Sequence, residues 1–296
     1  MTRTVLRLAV VIPFLNEEDH LPTLLDSLAA QERAPDALLL VDDGSDDCSA
    51  AIARRFAAQH RYARLLQRPR RRPERDRMVR AHELRAFTWA LAQVAEPWDV
   101  AGKLDADLRL APGLLAEMER RFVADPRLGI AGAYLEESLA DGRLRRQRCA
   151  PGHVEGPNRF YRRACLEAIS PVPPILGWDT IDEVRARMLG WSTQSFALPR
   201  GQVLHLRRMG SHDGTLRGYR RAGWAAYASG ADPVHLIAAG LARTRDRPLV
   251  ACGAAYLLGY AAAALRREPR AEPTVRAHLR REQRARLVAL VRGRAA

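Results

Sequence analysis

In residues 1–110, continuous apolar runs alternate with segments whose apolar residues recur at helical spacing. Residues 8–13 and 37–41 form two such runs, which are typical of strands buried inside a sheet. Between them, leucines three or four positions apart predict a helix: Leu21, Leu24, Leu25 and Leu28. This alternation predicts a mainly parallel sheet with helices on both of its faces.

Polar segments connect these elements and begin further helices. Residues 42–47 follow the second strand, and their Asp and Ser side chains can cap a helix that carries Ile52 and Phe56. We predict a third strand at residues 62–67. The helix after it has one apolar stripe: Leu84, Phe87, Leu91 and Val94. The βαβα pattern therefore extends well beyond the first two strands.

A fourth strand leads into two aspartates. Residues 98–104 are largely apolar, and Asp105 and Asp107 follow directly. Residues 111–113 then open a helix with its apolar residues on one stripe: Leu114, Leu115, Met118 and Phe122. The aspartates thus stand at a strand-to-helix corner, where open α/β sheets bind their ligands.

The pattern changes after residue 126. Residues 128–135 and 147–154 read as strands around an Asp141-Gly142 hairpin turn, and the basic, aromatic segment 158–163 follows. The segment 177–183 opens a short helix that ends near Gly190. Two closing strands are predicted after it, at residues 192–198 and 202–206. From residue 208 the chain is helical and basic.

Composition indicates a globular protein with a strong positive charge. The chain has 296 residues, 47% of them apolar, and a net charge of +14. Nearly all 48 basic residues are arginines spread along the chain, and Lys103 is the single lysine. The basic stretch at residues 68–77 is interpreted as a solvated, proline-stiffened loop, with an anion site as the alternative. Nucleic acid is therefore not the favoured partner.

The cysteines and the amino-terminal segment indicate the cellular compartment of the protein. The four cysteines have neither metal-ligand nor disulfide spacing, which is typical of a reduced compartment. The early apolar run ends in Asn16-Glu17-Glu18 rather than in a cleavage site for a signal peptide. We therefore expect a cytoplasmic protein, with the inner face of the cell membrane as a further option.

One apolar segment suggests contact with a membrane. Residues 249–265 carry no charge and have arginines on both sides, as membrane-contacting helices do. The segment is at the short limit for crossing a bilayer and is rich in Ala and Gly. We favour a buried or interfacial helix over a membrane span, and peripheral membrane contact through this segment follows as an expectation.

Acidic residues mark the ends of several predicted elements. The four groups are Asn16-Glu17-Glu18, Asp42-Asp43, Asp105/Asp107 and Asp179/Asp182/Glu183. Groups at the carboxyl ends of neighbouring parallel strands converge in one crevice. The resulting excess of negative charge would be balanced by a hard divalent cation such as Mg²⁺ or Mn²⁺.

Taken in order, these segments resemble the family-2 glycosyltransferases. The resemblance is carried by residues 10–17, 41–45, 103–107 and 177–183. It implies the GT-A fold, a Rossmann-like fold for nucleotide-diphospho-sugar transferases, and a catalytic domain at residues 1–207. Within this domain, residues 1–110 would bind the nucleotide and residues 111–207 the acceptor. Residues 208–296 would form the basic helical extension.

The resemblance also implies roles for individual residues. The turn containing Pro13, Asn16 and Glu17 and one of the pair Asp42 and Asp43 would hold the base and ribose. The diphosphate side would comprise these residues: Lys103, Asp105, Asp107 and His205. Of these, Asp105, Asp107 and His205 are the expected ligands of Mn²⁺ or Mg²⁺, with Asp107 the main one.

A carboxylate at the start of the helix at residues 177–190 is expected to be the catalytic base. Asp179 stands at the expected place, counted back from Gly190-Trp191, although Trp178 precedes it where the family has a second acid. Asp182 and Glu183 are rivals for this role. A structural function for Asp179, stabilising the first turn of a helix, is the alternative.

The expected reaction is transfer of a sugar, with inversion, from a UDP- or GDP-linked donor to a saccharide or lipid-linked acceptor. The expected process is synthesis of cell-surface polysaccharide or glycolipid. A sugar nucleotidyltransferase is the alternative enzyme, but residues 14–17 contain no glycine-rich phosphate loop. A basic membrane-surface or nucleic-acid-binding protein is the non-enzyme alternative, and it would not need the acidic corners.

Overall fold

The computed structural model describes residues 5–69, 78–138, 143–146, 149–150, 152–199, 201–207 and 214–292. These residues form two compact units. The first comprises the described parts of 1–75, 82–170 and 190–207, and the second those of 76–81, 171–189 and 208–296. The segment 171–189 thus groups with the C-terminal helices, so the compact units do not follow a single cut at residue 207.

A seven-stranded sheet forms the centre of the first unit. From one edge to the other its strands are β10 (Ser192–Phe196), β6 (Leu128–Ala133), β9 (Asn158–Arg162), β4 (Val100–Leu104), β1 (Leu8–Phe14), β2 (Ala37–Asp42) and β3 (Ala63–Gln67). Only β9 runs antiparallel to its neighbours, so the sheet is mainly parallel as predicted. β1 and β2 are almost wholly buried, which explains their continuous apolar sequences.

A second, four-stranded sheet carries the segment after the aspartates. Its strands in spatial order are β5 (Leu108–Arg109), β11 (Val203–His205), β7 (Leu135–Ser138) and β8 (Leu144–Arg146). β11 pairs antiparallel with β5, with His205 opposite Leu108. This pairing brings the chain after His205 beside the Asp105–Asp107 corner, although the two segments are far apart in sequence.

Five helices belong to the first unit: α1 (Leu21–Ala29), α2 (Ser49–Gln59), α3 (His82–Leu91), α4 (Leu114–Ala124) and α5 (Arg163–Ile169). The predicted leucine stripe of α1 is completely buried. The backbone amide of Ser49, the first residue of α2, donates to Asp47 at 2.9 Å, whereas the N-cap residue itself, Cys48, makes no side-chain capping bond. The predicted apolar stripe includes Val94, but α3 ends at Leu91, so Val94 lies outside the helix.

Two strand predictions in the middle of the chain are wrong. The predicted strand 128–135 is divided at Tyr134, and its two parts enter different sheets. The strand predicted at 147–154 is absent from the described residues 149–150 and 152–154, and β8 lies upstream of it instead. The Asp141-Gly142 turn and residues 70–77 of the basic stretch lie outside the described residues.

The second unit is helical. It contains α6 (Trp178–Met188), α7 (Thr215–Ser229), α8 (Pro233–Arg243), α9 (Ala251–Leu265) and α10 (Pro273–Val291). Apolar residues of α6 pack against those of α10 and the segment before it: Ile181, Val184, Ala271, Val275 and Leu279. Within the described ranges, no helix is long and apolar enough to cross a membrane, and this includes α9.

Two glycines allow the backbones of α7 and α9 to come into direct contact where the helices cross. A Cβ atom on Gly259 would lie 2.0 Å from the carbonyl oxygen of Arg220, and one on Gly223 would lie 1.8 Å from that of Tyr256. Neither clash can be relieved by rotating a side chain, because the obstructing atoms belong to the backbone. The helix pair would have to separate to admit any larger residue.

We therefore expect Gly259→Val to lower the free energy of unfolding by about 3 kcal/mol or more, because overpacked helices must shift apart. Ala261→Val is the control for introducing a β-branched residue into α9, since Ala261 is exposed on the same helix and this change costs about 0.7 kcal/mol or less in helix propensity. Urea unfolding monitored by circular dichroism measures the free energy of unfolding of both variants. Equal destabilisation by the two substitutions would show that the close crossing contributes nothing.

Candidate active site

Asp107 lies between a histidine and an arginine. Its Oδ2 atom is 3.2 Å from Nε2 of His205 and 3.0 Å from Nε of Arg207. Burial alone would raise the pKa of Asp107, but the hydrogen bond and charge of His205, together with Arg207, outweigh it and hold the pKa at about 2. Asp107 is therefore an ionised carboxylate at neutral pH.

The pKa of His205 is shifted in the opposite direction, upward. Burial acts to lower the pKa of its imidazole, but the hydrogen bond to Asp107 and the charges of Asp107 and Asp105 raise it. Its Nε2 atom faces Asp107, and its buried Nδ1 atom has no hydrogen-bond partner among the described residues. When a cation displaces the proton from Nε2, the resulting neutral imidazole can offer that nitrogen as a metal ligand beside the carboxylate.

Arg207 connects Asp107 to the loop after β1. Its Nη2 group donates to Oε1 of Glu17, while its Nε donates to Asp107. Burial raises the pKa of Glu17 despite the opposing effect of Arg207. One guanidinium therefore joins two acidic groups that the sequence places 90 residues apart.

The loop after β1 is held to the loop after β2. Asn16 has a left-handed backbone with φ of 55°, a conformation that asparagine tolerates better than most residues. Its side chain donates to Asp46 at 2.6 Å and accepts from the backbone amide of Asp46 at 2.9 Å. Its own backbone amide donates to the hydroxyl of Ser45 at 3.1 Å. These bonds fix two segments that we predicted to hold the nucleotide.

Asp42 and Asp43 have different environments. Asp42 Oδ1 accepts from the backbone amides of Gly44 and Ser45, at 3.2 and 2.8 Å, and so shapes the turn after β2. Asp43 is buried and forms a 2.7 Å ion pair with Arg68. A buried carboxylate needs such a partner, since its desolvation would otherwise be costly.

Lys103 lies inside the sheet and supports Asp105. It is 1% exposed on β4, and its Nζ donates to the Asp105 carboxylate and, at 3.1 Å, to the carbonyl oxygen of Gly156. The two aspartates thus differ: Asp105 is held by lysine, and Asp107 faces His205 and Arg207. Lys103 is better described as fixing Asp105 than as an exposed cation.

The predicted catalytic acids lie in the second unit, on α6. Gly177 precedes this helix with φ of 83°, and Asp179 stands in the first turn with its side chain partly exposed. Asp182 is fully buried, and Glu183 is 2% exposed and lies 3.6 Å from Arg187. Exposure therefore distinguishes Asp179 from its two rivals.

Sequence reasoning did not identify Arg207. The available signal was its spacing, two residues after His205 at the end of a short strand, but arginine is too common in this chain for that spacing to be noticed. Arg207 acquires its contacts through the pairing of β11 with β5. This pairing joins segments about a hundred residues apart and leaves no local pattern.

The chemistry of these side chains fits a hard divalent cation. Among the described residues, no group of three or more His, Cys, Asp and Glu is arranged as a metal cluster. The 3.2 Å between Asp107 Oδ2 and His205 Nε2 is nevertheless close to the roughly 3 Å between adjacent ligands of an octahedral ion. Such ions commonly take few protein ligands and complete their shell with phosphate and water.

The family profile and a curated relative agree on the class of enzyme. The profile of the family "Glycosyl transferase family 2" matches residues 9–173. An uncharacterised glycosyltransferase of Mycobacterium bovis is 34% identical over 191 residues, which span 62% of this chain and 79% of the relative. Asp179 and His205 lie beyond the residues that the family profile matches.

Two solved structures share the fold at low sequence identity. Mannosyltransferase PcManGT from Pyrobaculum calidifontis, in complex with GDP-Man and Mn²⁺, is 19% identical with a TM-score of 0.56, over 97% of this chain and 81% of that one. S. aureus TarS 1-349 in complex with UDP-GlcNAc is 17% identical with a TM-score of 0.50, over 74% and 65%. The predicted GT-A fold is confirmed, and the protein is an enzyme of the glycosyltransferase class. The chain belongs to glycosyl transferase family 2.

Proposed function

We propose that this enzyme transfers a sugar, with inversion and with the help of a divalent cation, from a nucleotide-diphosphate donor to an acceptor hydroxyl. The observation that carries the proposal is the Asp107–His205 pair, an ionised carboxylate and an imidazole at 3.2 Å. The structure of PcManGT in complex with GDP-Man and Mn²⁺ supports a divalent cation and a nucleotide-diphosphate donor in this proposal. UDP- and GDP-linked sugars are both candidate donors.

The loops after β1 and β2 are proposed to bind the nucleoside. The side chain of Asn16 fixes its own loop to Asp46, so the two loops present their polar groups as one rigid unit. Pro13, Glu17 and one of the pair Asp42 and Asp43 would contact the base and ribose. A preorganised surface of this kind binds with little loss of conformational entropy.

Asp107 and His205, with Asp105 beside them, are proposed to hold Mn²⁺ or Mg²⁺ against the diphosphate. When bound, the cation supplies the positive charge that a diphosphate leaving group requires. Lys103 keeps the Asp105 carboxylate in place. Arg207 donates to Asp107 through Nε, and in the proposed complex its guanidinium would turn toward the diphosphate oxygens.

Asp179 is proposed to accept the proton of the attacking acceptor hydroxyl. Its side chain is partly exposed, whereas those of Asp182 and Glu183 are buried. A base must reach the proton that it removes, so accessibility favours Asp179 over both rivals. Attack from the side opposite the diphosphate would invert the anomeric carbon. A saccharide or lipid-linked alcohol of a cell-surface polymer or glycolipid is the proposed acceptor.

A panel of nucleotide-sugars tests the proposal directly. We expect a UDP- or GDP-linked sugar to stabilise the protein only when Mn²⁺ or Mg²⁺ is present. At a ligand concentration of a hundred times Kd, the free energy of unfolding should rise by about 2.7 kcal/mol. Thermal unfolding of the full chain with each donor, with and without EDTA, measures this. Stabilisation that EDTA leaves unchanged would contradict the metal requirement.

Product analysis tests the type of reaction. We expect the productive donor to release a nucleoside diphosphate and NMR to detect an anomeric configuration opposite to that of the donor. Retention of configuration would contradict the role proposed for Asp179. Release of pyrophosphate from a nucleoside triphosphate would instead identify nucleotidyl transfer.

A further inference from the structure

The helical hairpin formed by α8, α9 and the loop between them carries several large apolar side chains that are exposed. On α8, Val234, Ile237 and Leu241 are 63%, 57% and 64% exposed. Their spacing of three and four residues puts them on one stripe of the helix. The buried residues of α8, Leu236 and Gly240, lie on an adjacent side of the helix. α8 therefore has one apolar stripe buried within its unit and another exposed.

The exposed apolar surface continues through the loop into α9. Leu249 and Val250 in the loop are 63% and 65% exposed, and on α9 Leu258 and Leu265 are 65% and 87% exposed. A cavity of about 460 Å³ adjoins Leu258, and its other lining residues come from α7 and α9: Leu216, Arg217, Arg220, Ala255 and Ala262. Scattered single leucines are ordinary on protein surfaces, but seven strongly exposed apolar side chains on one hairpin are a concentration typical of an interaction site.

The hairpin has a rigid frame. Gly240 of α8 faces the side chain of Leu257 at a distance that leaves little room for a Cβ, and Gly253 of α9 lies against the carbonyl oxygen of Gly240. Asp232 caps the start of α8 by accepting from the backbone amide of Val234 at 3.0 Å. The exposed leucines are therefore displayed by well-packed helices.

Cationic side chains border this surface. Arg245 and Arg247 are exposed in the loop before α9, and Arg266 and Arg267 are exposed after it. The segment also contains Asp246, which accepts a 2.8 Å hydrogen bond from the hydroxyl of Tyr219. The surface thus combines exposed apolar residues with an excess of arginine, which is complementary to an anionic lipid headgroup layer.

The length of α9 indicates how such a surface would meet a bilayer. Its 15 residues rise about 22 Å, which is less than the roughly 30 Å of a hydrocarbon core. No helix in the described part of the chain can cross a membrane. A short helix with exposed apolar side chains and arginines at both ends is suited to the bilayer interface, where exposed apolar groups can enter the acyl boundary and cations can contact phosphates.

We propose that the α8–α9 hairpin docks this enzyme on an anionic membrane surface. Ile237, Leu241 and Leu258 enter the boundary between headgroups and acyl chains, and Arg245 and Arg247 contact lipid phosphates. This membrane binding is a property additional to sugar transfer, and it requires neither the sugar donor nor the metal ion.

Vesicle sedimentation of the full-length protein tests the proposal. We expect binding to phosphatidylcholine vesicles that contain phosphatidylglycerol, and weaker binding to phosphatidylcholine alone or at high ionic strength. The double substitution Arg245→Gln/Arg247→Gln should weaken binding to the anionic vesicles about 25-fold, because each arginine near such a surface contributes a factor of about five. Ile237→Asn/Leu241→Asn should weaken it at least about tenfold.

Leu189→Asn is the matched control, because Leu189 is 57% exposed in the same unit but lies outside the hairpin. It should bind vesicles as the unmodified protein does. Thermal unfolding and donor hydrolysis verify that each variant is folded, and we expect both to be unchanged. Absence of binding to anionic vesicles, or equal binding by all variants, would overturn the proposal. So would concentration-dependent dimerisation lost in Ile237→Asn/Leu241→Asn, because the surface would then join two copies of the chain.

Discussion

Replacing Asp107 by asparagine is expected to lower the rate of sugar transfer by a factor of about 10³ or more. The neutral amide removes the ionised carboxylate that lies 3.2 Å from His205. A cation that stabilises the leaving diphosphate contributes several kcal/mol to the transition state, and about 4 kcal/mol corresponds to a factor of about 10³. The substitution preserves the size of the side chain, so the loss should come from charge and not from packing.

Two measurements separate this effect from a loss of folding. Initial rates at saturating donor report the chemistry, and titration of Mn²⁺ monitored by electron paramagnetic resonance reports binding of the metal in the presence of nucleoside diphosphate. Asp26→Asn is the matched control, since Asp26 is an exposed aspartate on α1 and should lose neither property. A Mn²⁺ affinity in Asp107→Asn equal to that of the unmodified enzyme would contradict the assignment.

Arg207 provides a second comparison at the same carboxylate. In the ligand-free arrangement its guanidinium donates to Asp107 Oδ2 and competes for an oxygen that a metal would use. Arg207→Gln should therefore increase the affinity for Mn²⁺ without nucleotide, whereas Asp107→Asn should decrease it. Opposite changes in the two variants would exclude a general distortion of the site as the explanation.

The sequence revealed the strands that support the site because their chemistry is local. β1 and β2 are buried on both faces, so each is a continuous apolar run that needs no knowledge of its neighbours. The acidic residues that follow these strands could be placed for the same reason. The fold class and the position of the Asp105–Asp107 corner at the end of β4 were therefore predictable.

The contacts inside the site were not predictable in the same way. Arg207 reaches Glu17 and Asp107 across 190 and 100 residues, through the pairing of short strands with little pattern of their own. β8 has three residues, all exposed, so its position depends on pairing with β7 and not on its own hydrophobicity. Long-range pairing decided both features, and such pairing is poorly encoded in any single segment.

The second large effect is expected at Asp179. Replacing it by asparagine should lower kcat for transfer by a factor of about 10² to 10⁴, the usual contribution of a general base. The amide cannot accept the proton of the acceptor hydroxyl. Binding of the donor nucleotide and of Mn²⁺ should remain unchanged, because neither involves this side chain in the proposed complex. Steady-state kinetics and Mn²⁺-dependent binding of the nucleoside diphosphate measure the two quantities separately.

The buried rivals on α6 should respond differently. Asp182 is fully buried and Glu183 is close to Arg187, so Asp182→Asn and Glu183→Gln should mainly lower the free energy of unfolding. A purely structural Asp179 would also act on stability, by up to about 1 kcal/mol from the first turn of a helix. Loss of kcat in Asp179→Asn without loss of stability therefore identifies the base. A kcat that falls only in Asp182→Asn or Glu183→Gln, in a protein that remains folded, would transfer the role to that residue.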